Sequence, residues 1–190
     1  MIIADLNNKL LEYHEKFPFF GIVLFTEAHP HVVKALKDQE YYAALHEISG
    51  DSIAIFATML FRGRLVYPDF PPGVVGMFVP IWQEPVQNKE LLSWFDIKDS
   101  QKLPMFVLFG FENSLLYYRK HSLKDSSVQE SFDSLREVLS LVATTIQDNA
   151  NTDSKSLFRK AKWEISKLQF KRQIKDLIGV VSQFRGVSGL

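Results

Sequence analysis

Cysteine is absent from the 190 residues, which removes disulfide scaffolds, thiolate metal sites, cysteine nucleophiles and every dithiol mechanism at once. Net charge is absent as well. The 22 Lys and Arg balance 22 Asp and Glu, so no global field marks nucleic acid or a membrane as the main partner. Long apolar runs are missing: stretches such as Phe19 to Phe25 and Gly73 to Trp82 fall well short of the roughly 20 residues that cross a bilayer as a helix, and no membrane span is expected. The opening residues Met1-Ile2-Ile3-Ala4-Asp5-Leu6-Asn7 lack a basic segment followed by an apolar stretch and a small-residue cleavage site, so the expected location is cytoplasmic. No Gly-rich phosphate loop, His-Glu-x-x-His or Gly-x-Ser-x-Gly is present. Carboxylate pairs such as Asp96 and Asp99, or Glu84 and Glu90, have no spacing that forces them into one cleft. No enzyme is demanded, and no cofactor is implied.

Hydrophobic residues make up 46% and aromatics 13%, with sixteen Phe. A chain of this length buries about 70% of its unfolded surface, enough for one well-filled core plus an appendage. The charge is divided along the chain. Residues 151–190 hold nine Lys or Arg against three Asp or Glu, a balance of +6 that leaves −6 for residues 1–150. The division coincides with the polar stretch Asp148 to Ser154, whose composition favours caps and turns. The main body is therefore read as residues 1–150, followed by a basic amphipathic helical extension over 151–190.

Within the body, Leu6, Leu10, His14 and Phe17 line one helical face, and Phe19 to Thr26 reads as a buried strand. Pro30 suits a first helical turn. From His31 to Glu47, Val32, Val33, Leu36, Leu45 and Ile48 supply an apolar face with a break near Asp38, and Gly50 ends it. Ser52 to Leu60 is expected to be a second buried strand, parallel to the first because helix joins them. Residues 61–87 form a Pro-rich aromatic insertion. Asn88 to Ile97 reads as a helix capped by Asn88, and Pro104 to Phe109 and Leu115 to Lys120 as a hairpin. Ser127 and Glu130 make a capping box before Val128, Phe132, Leu135, Leu139, Val142 and Ile146, which repeat at four and three residue steps.

This α/β order resembles the thioredoxin fold: a parallel βαβ half, a helix, a hairpin opened by Leu103-Pro104 and a closing helix. In that family a strand ends at a Cys-x-x-Cys turn that opens a helix. Here Val23-Leu24-Phe25-Thr26-Glu27 leads into Ala28-His29-Pro30-His31, with Ala28 and His31 in place of the two cysteines. Pro30 matches the proline of Cys-Gly-Pro-Cys, and Pro104 matches the family's cis proline before its third core strand. The resemblance covers about residues 18–147 and implies a central mixed sheet flanked by helices. Three departures stand beside it: both cysteines are missing, no strand precedes the first helix, and residues 61–87 are inserted. Without a thiolate there is neither an attacking nor a resolving group, so the resemblance implies a redox-inactive module that binds rather than transfers electrons.

The implied groove is bordered by Ala28, His29, Pro30, His31, Leu103 and Pro104. Family members pair an extended peptide or glutathione with the backbone before the cis proline. One reading keeps that groove for a protein or peptide segment; the other leaves the proline a purely structural turn. A small-molecule binder or enzyme holding a glutathione-like ligand in the same cleft is the alternative of a different class. Arg62 and Arg64 in the insertion lean toward anion contact, and the insertion itself reads either as a recognition wall or as an apolar flap. Glu27, His29 and His31 invite a metal reading, but residues astride a helix start do not converge, and a third ligand would have to come from His46, His121 or an acid of the insertion; no metal site is expected.

In the extension, Trp163, Lys167, Phe170, Ile174, Leu177, Val181 and Phe184 follow four and three residue steps, while Leu157, Ala161, Ile165 and Leu168 make a second stripe. One stripe suits packing on the body, whose charge is opposite. The other suits a homodimer through this helix, or burial within the same chain. A basic amphipathic helix also suits an anionic membrane surface or nucleic acid, with Lys171 and Arg172 as contacts, but the acidic body opposes either approach, and no nucleic-acid partner is expected.

Overall fold

Phe20 to Thr26 form β1, and all seven residues are buried. A strand with no solvent face needs cover on both sides and a partner along each edge. The structure, a computed structural model, describes residues 3–13, 16–17, 19–50, 53–67, 79–112 and 115–187. His14, Ser52, the Pro68 to Phe78 part of the insertion and Ser114 lie outside the described residues, as do the side chains of Leu177, Val181 and Phe184.

β1 pairs in parallel with β2 (Ala54–Leu60) and antiparallel with β5 (Met105–Glu112), which pairs antiparallel with β6 (Leu115–Ser122). The sheet order is β2-β1-β5-β6. A parallel pair requires a crossover, and two helices make it, α2 (Pro30–Lys37) and α3 (Gln39–Ser49). The break expected near Asp38 falls on that residue. Its carboxylate accepts the amides of Glu40 and Tyr41 at 2.9 and 3.2 Å, satisfying donors that have no partner within the helix. Gly50 follows α3 at φ +48°, a conformation that suits a residue without Cβ.

Alternation along β1 sends Val23 and Phe25, with Phe19 just before the strand, to one face and Phe20, Ile22 and Leu24 to the other. The first face is covered by α2, α3 and α5 (Val128–Gln147) together with the first half of α6 (Ser154–Val187). The second is covered by α1 (Ile3–Tyr13), through Leu6 and Leu10, and by α4 (Val86–Trp94), through Leu91 and Leu92. The described residues thus form a mixed α/β protein of six α-helices around a four-stranded mixed sheet.

Two caps differ from expectation. Asn88 does not cap α4, because Pro85 stands at that position and Asn88 lies inside the first turn. Its amide is turned sideways and pairs with the Phe61 backbone as a strand residue would, accepting from the N–H at 3.1 Å and donating to the C=O at 2.7 Å. At α5 the Ser127 hydroxyl accepts from the Glu130 amide at 3.1 Å. The return arm of the box is missing, since the Glu130 carboxylate accepts from Ser126 instead.

The stretch Asp148 to Asp153 is a turn between α5 and α6, but it does not separate two cores. Leu157, Phe158, Ala161 and Ile165 of α6 belong to the same buried cluster as Val23 and Leu139. Further along, Arg172 turns inward: it donates to the Nε2 of buried His121 at 2.9 Å and pairs with Glu137 of α5. It is therefore a body contact and not the outward cation the basic stripe suggested. Because a guanidinium only donates, Nε2 must accept, and the imidazole is neutral. Burial, the adjacent Arg172 and, more weakly, Arg119 push His121 down to about 4, against the opposing pull of Glu137.

Two outcomes follow from this packing. A Cβ on Gly21 would lie 2.6 Å from Cε2 and 2.7 Å from Cζ of Phe106, a ring wholly buried in the core. Gly21→Ala should therefore lower the unfolding free energy in urea by about 1–3 kcal/mol, the usual cost of overpacking. The unfolded chain protonates His121 near pH 6.5 while the folded chain resists until about 4. The stability of the neutral form is thus complete above 6.5 and declines as pH falls. Denaturation at pH 6.5 and pH 5, above most carboxylate titrations, should show that decline in the native protein and a smaller one in His121→Gln.

Candidate functional site

β1 ends at Thr26, and the chain turns through Glu27, Ala28 and His29 into α2. The turn is closed by its own groups. The His29 amide donates to the Thr26 carbonyl at 3.1 Å, the Ala28 amide to the Thr26 hydroxyl at 3.2 Å, and the Thr26 amide to His29 Nδ1 at 3.0 Å. His29 occupies the N-cap position, yet its ring folds back on Thr26 and makes no cap bond. With Nδ1 accepting, the proton of the neutral ring sits on Nε2. The helix start is capped from elsewhere: Asp125, in the loop after β6, accepts the Val32 amide at 2.9 Å.

The register Leu24↔Met105 brings Leu103 and Pro104 to the same end of β1 as this turn. Their peptide bond is cis, and both residues are buried. The Leu103 amide donates to the Ser100 carbonyl at 3.3 Å, closing a 3-10 turn at Ser100–Lys102, and the Pro104 carbonyl accepts from Leu123 at 3.0 Å. The N–H that the resemblance implies for a bound peptide is thus already engaged.

The insertion supplies a wall. Its described parts form a two-stranded antiparallel ribbon, β3 (Arg64–Val66) and β4 (Ile81–Gln83), with Leu65 opposite Trp82. Leu65 and Ile81 remain exposed, so the ribbon is held by polar contacts more than by burial. Their centre is Glu84. Its Oε1 accepts from Asn88 at 2.5 Å, and its Oε2 accepts from Trp82 Nε1, the Ser100 amide and the Ser100 hydroxyl, each at 2.9 Å. Burial alone would raise this carboxyl, but the donors from Asn88, Ser100 and Trp82 outweigh it and hold Glu84 below the usual carboxylate range.

Between turn and wall lies a cleft of about 360 Å³. The turn contributes Thr26, Ala28 and His29; the insertion contributes Arg62, Leu65 and Trp82; Ser100 and Gln101 close the third side. Three of the residues singled out from sequence, Ala28, His29 and Arg62, therefore meet. Pro30, His31, Leu103, Pro104 and Arg64 do not line the cleft. Pro30 is exposed at the first turn of α2, His31 is half-buried with no hydrogen bond to its Nδ1, and Arg64 donates along the ribbon to Gln83 at 3.3 Å. Arg62 is the one full charge among the lining residues, and no carboxylate accompanies it.

Sequence reasoning missed Thr26, Leu65, Trp82, Ser100 and Gln101. Trp82 carried a signal, an indole with a carboxylate two residues on, but its placement depends on strand pairing 17 residues away. Among the described residues, no three His, Asp or Glu side chains gather as metal ligands. His46 stacks on Tyr42 and His121 lies under α6, both away from His29. A second cavity of about 290 Å³ beside β2, lined by Tyr13, Phe17, Leu45 and Leu135 among others, is mostly apolar and lies toward the amino ends of the strands. Ligands of open α/β sheets are held at the carboxyl ends, where the first cleft lies. No protein-family model, curated protein or solved structure matches the chain.

Replacing Glu84 by Gln leaves the shape but removes two acceptor lone pairs and the charge. Glu84→Gln should cost about 1–3 kcal/mol in thermal unfolding at neutral pH. Because the folded carboxyl titrates below its unfolded value near 4.5, this difference between variant and native protein should be full above pH 4.5 and shrink as pH falls below it.

Proposed function

We propose that the protein is a redox-inactive binding module of thioredoxin-like build whose cleft at the carboxyl end of β1 holds an extended peptide segment bearing a carboxylate. The observation that carries this reading is the meeting of Ala28 and His29 with Arg62 and Trp82 around one cleft. A parallel β1–β2 pair and an antiparallel β5–β6 hairpin that follows Leu103-Pro104 support the family reading. With no cysteine in the chain, thiol exchange is closed to it, and binding is what such a cleft has left to do.

The chemistry of the lining sets the partner. Arg62, with no acid among the other lining residues, favours a carboxylate through charge-assisted bonds. The neutral His29 offers one Nε2 donor, Gln101 both a donor and an acceptor, and Trp82 and Leu65 flat apolar surface. Since the Leu103 amide is held by Ser100, recognition falls on these side chains more than on strand-like pairing beside the proline. A second reading, a small anionic molecule such as a glutathione-like ligand, is favoured by the cleft volume of about 360 Å³, which lies within the range of small-ligand sites.

Peptides selected from a random library on the native protein should carry an acidic residue or a free carboxyl terminus. They should lose about ten- to a hundredfold in affinity against Arg62→Glu, the worth of a charge-assisted bond, and lose affinity against Trp82→Ala. Selected peptides that bind both variants as tightly as the native protein would place recognition elsewhere. A thermal upshift with glutathione or a nucleotide, lost in Arg62→Glu and unaccompanied by any selectable peptide, would favour the second reading.

A further inference from the structure

We propose that the outward face of α6 docks the protein onto an anionic lipid bilayer surface. This inference stands apart from the cleft and uses none of its residues. The rotation of α6 is set by its inward contacts: Leu157, Ala161 and Ile165 are buried in the core, Gln169 donates to the Lys120 carbonyl at 2.8 Å, and Arg172 reaches His121 and Glu137. The opposite face is consequently committed to solvent. On it, Trp163, Phe170 and Ile174 are 62%, 65% and 41% exposed. Spacings of seven and four residues put them in one line along the helix. Isolated exposed apolar residues need no explanation, but an aligned Trp, Phe and Ile stripe opposite a fixed inner face does.

The flanks of that stripe name its occupant. Lys160, Lys167 and Lys171 run along one side at helical spacing, with Arg159 and Lys162 on the other, and all five are exposed. Glu164 is the one acid among the described side chains of α6. It is paired with Lys167 at 2.6 Å, and that ammonium also lies 5.6 Å from the Trp163 ring centroid. An apolar line bordered by cations matches an anionic bilayer, and the negative balance of residues 1–150, which opposes approach by the body, is carried by elements other than this helix. Indole and phenyl rings sit at the headgroup boundary, and Lys stems lie along apolar surface while their charges reach the phosphates. A second copy applied to the same face would bring these cations against their own counterparts. A nucleic acid would meet the charges, but Ile174 offers a phosphate backbone nothing. No helix among the described residues is long and apolar enough to cross a membrane, so the contact is along the surface.

Flotation of the full-length protein with vesicles tests this. Vesicles of phosphatidylcholine and phosphatidylserine at three to one should carry the protein upward at low salt, and vesicles of phosphatidylcholine alone should not. Lys160→Gln/Lys167→Gln/Lys171→Gln should lower partitioning about a hundredfold, from the usual contribution of a cation at an anionic surface. Trp163→Ala/Phe170→Ala should lower it about tenfold or more. Circular dichroism matching the native protein would show that the variants fold. The inference is overturned if the protein floats with neither vesicle, floats equally with both, or is unaffected by either set of substitutions. It is overturned too if light scattering finds a dimer that Trp163→Ala/Phe170→Ala disperses, which would make a second copy the occupant.

Discussion

β1 has no face in water. Each of its seven residues is buried, its two edges are taken by β2 and β5, and its alternating side chains feed two separate apolar clusters. The other elements answer to that constraint. Two helical layers are needed to cover the two faces, and a crossover is needed to bring a parallel partner alongside. The cover stops where β1 ends. At Thr26 the chain leaves the sheet, and the exposed edge of that opening is the turn that lines the cleft. The candidate site lies where the burial of the central strand runs out.

The far wall of the cleft is held by different physics. The β3–β4 ribbon leaves Leu65 and Ile81 in solvent, so apolar burial contributes little to its position. A single carboxylate, Glu84, gathers donors from Trp82, Asn88 and Ser100, and Asn88 in turn clasps the Phe61 backbone. Such a node is specific in direction where apolar packing is not. It ties the insertion to α4 and to the 3-10 turn before Pro104, so the insertion wall and the Ser100–Gln101 side of the cleft share one anchor.

α6 shows how charge segregation along a chain and division in space can differ. The composition changes sharply near residue 150, but Leu157, Phe158, Ala161 and Ile165 complete the core that α5 begins. Its cations serve two ends: Arg172 is drawn inward to His121 and Glu137, while the exposed lysines border Trp163 and Phe170. The helix is partly a core element and partly a surface with an unsatisfied apolar line.

Residues close in sequence were legible from sequence alone. The apolar run of β1, the break at Asp38, the Gly50 stop, the Ser127 cap, the β5–β6 hairpin and, as far as Ile174, the two stripes of α6 each arise from local preference or a period of 2 or 3.6 residues, which the order of side chains records directly. So did the absence of thiol chemistry. The tertiary structure alone decided what depends on distant partners: Asp125 capping α2 across 93 residues, Asn88 pairing with Phe61 and not with its own helix, Arg172 turning inward, and Trp82 and Gln101 arriving beside His29. A hydrogen-bond donor or a charge carries no mark of which far-off group will meet it, because that choice is made by the packing of the strands and helices between them.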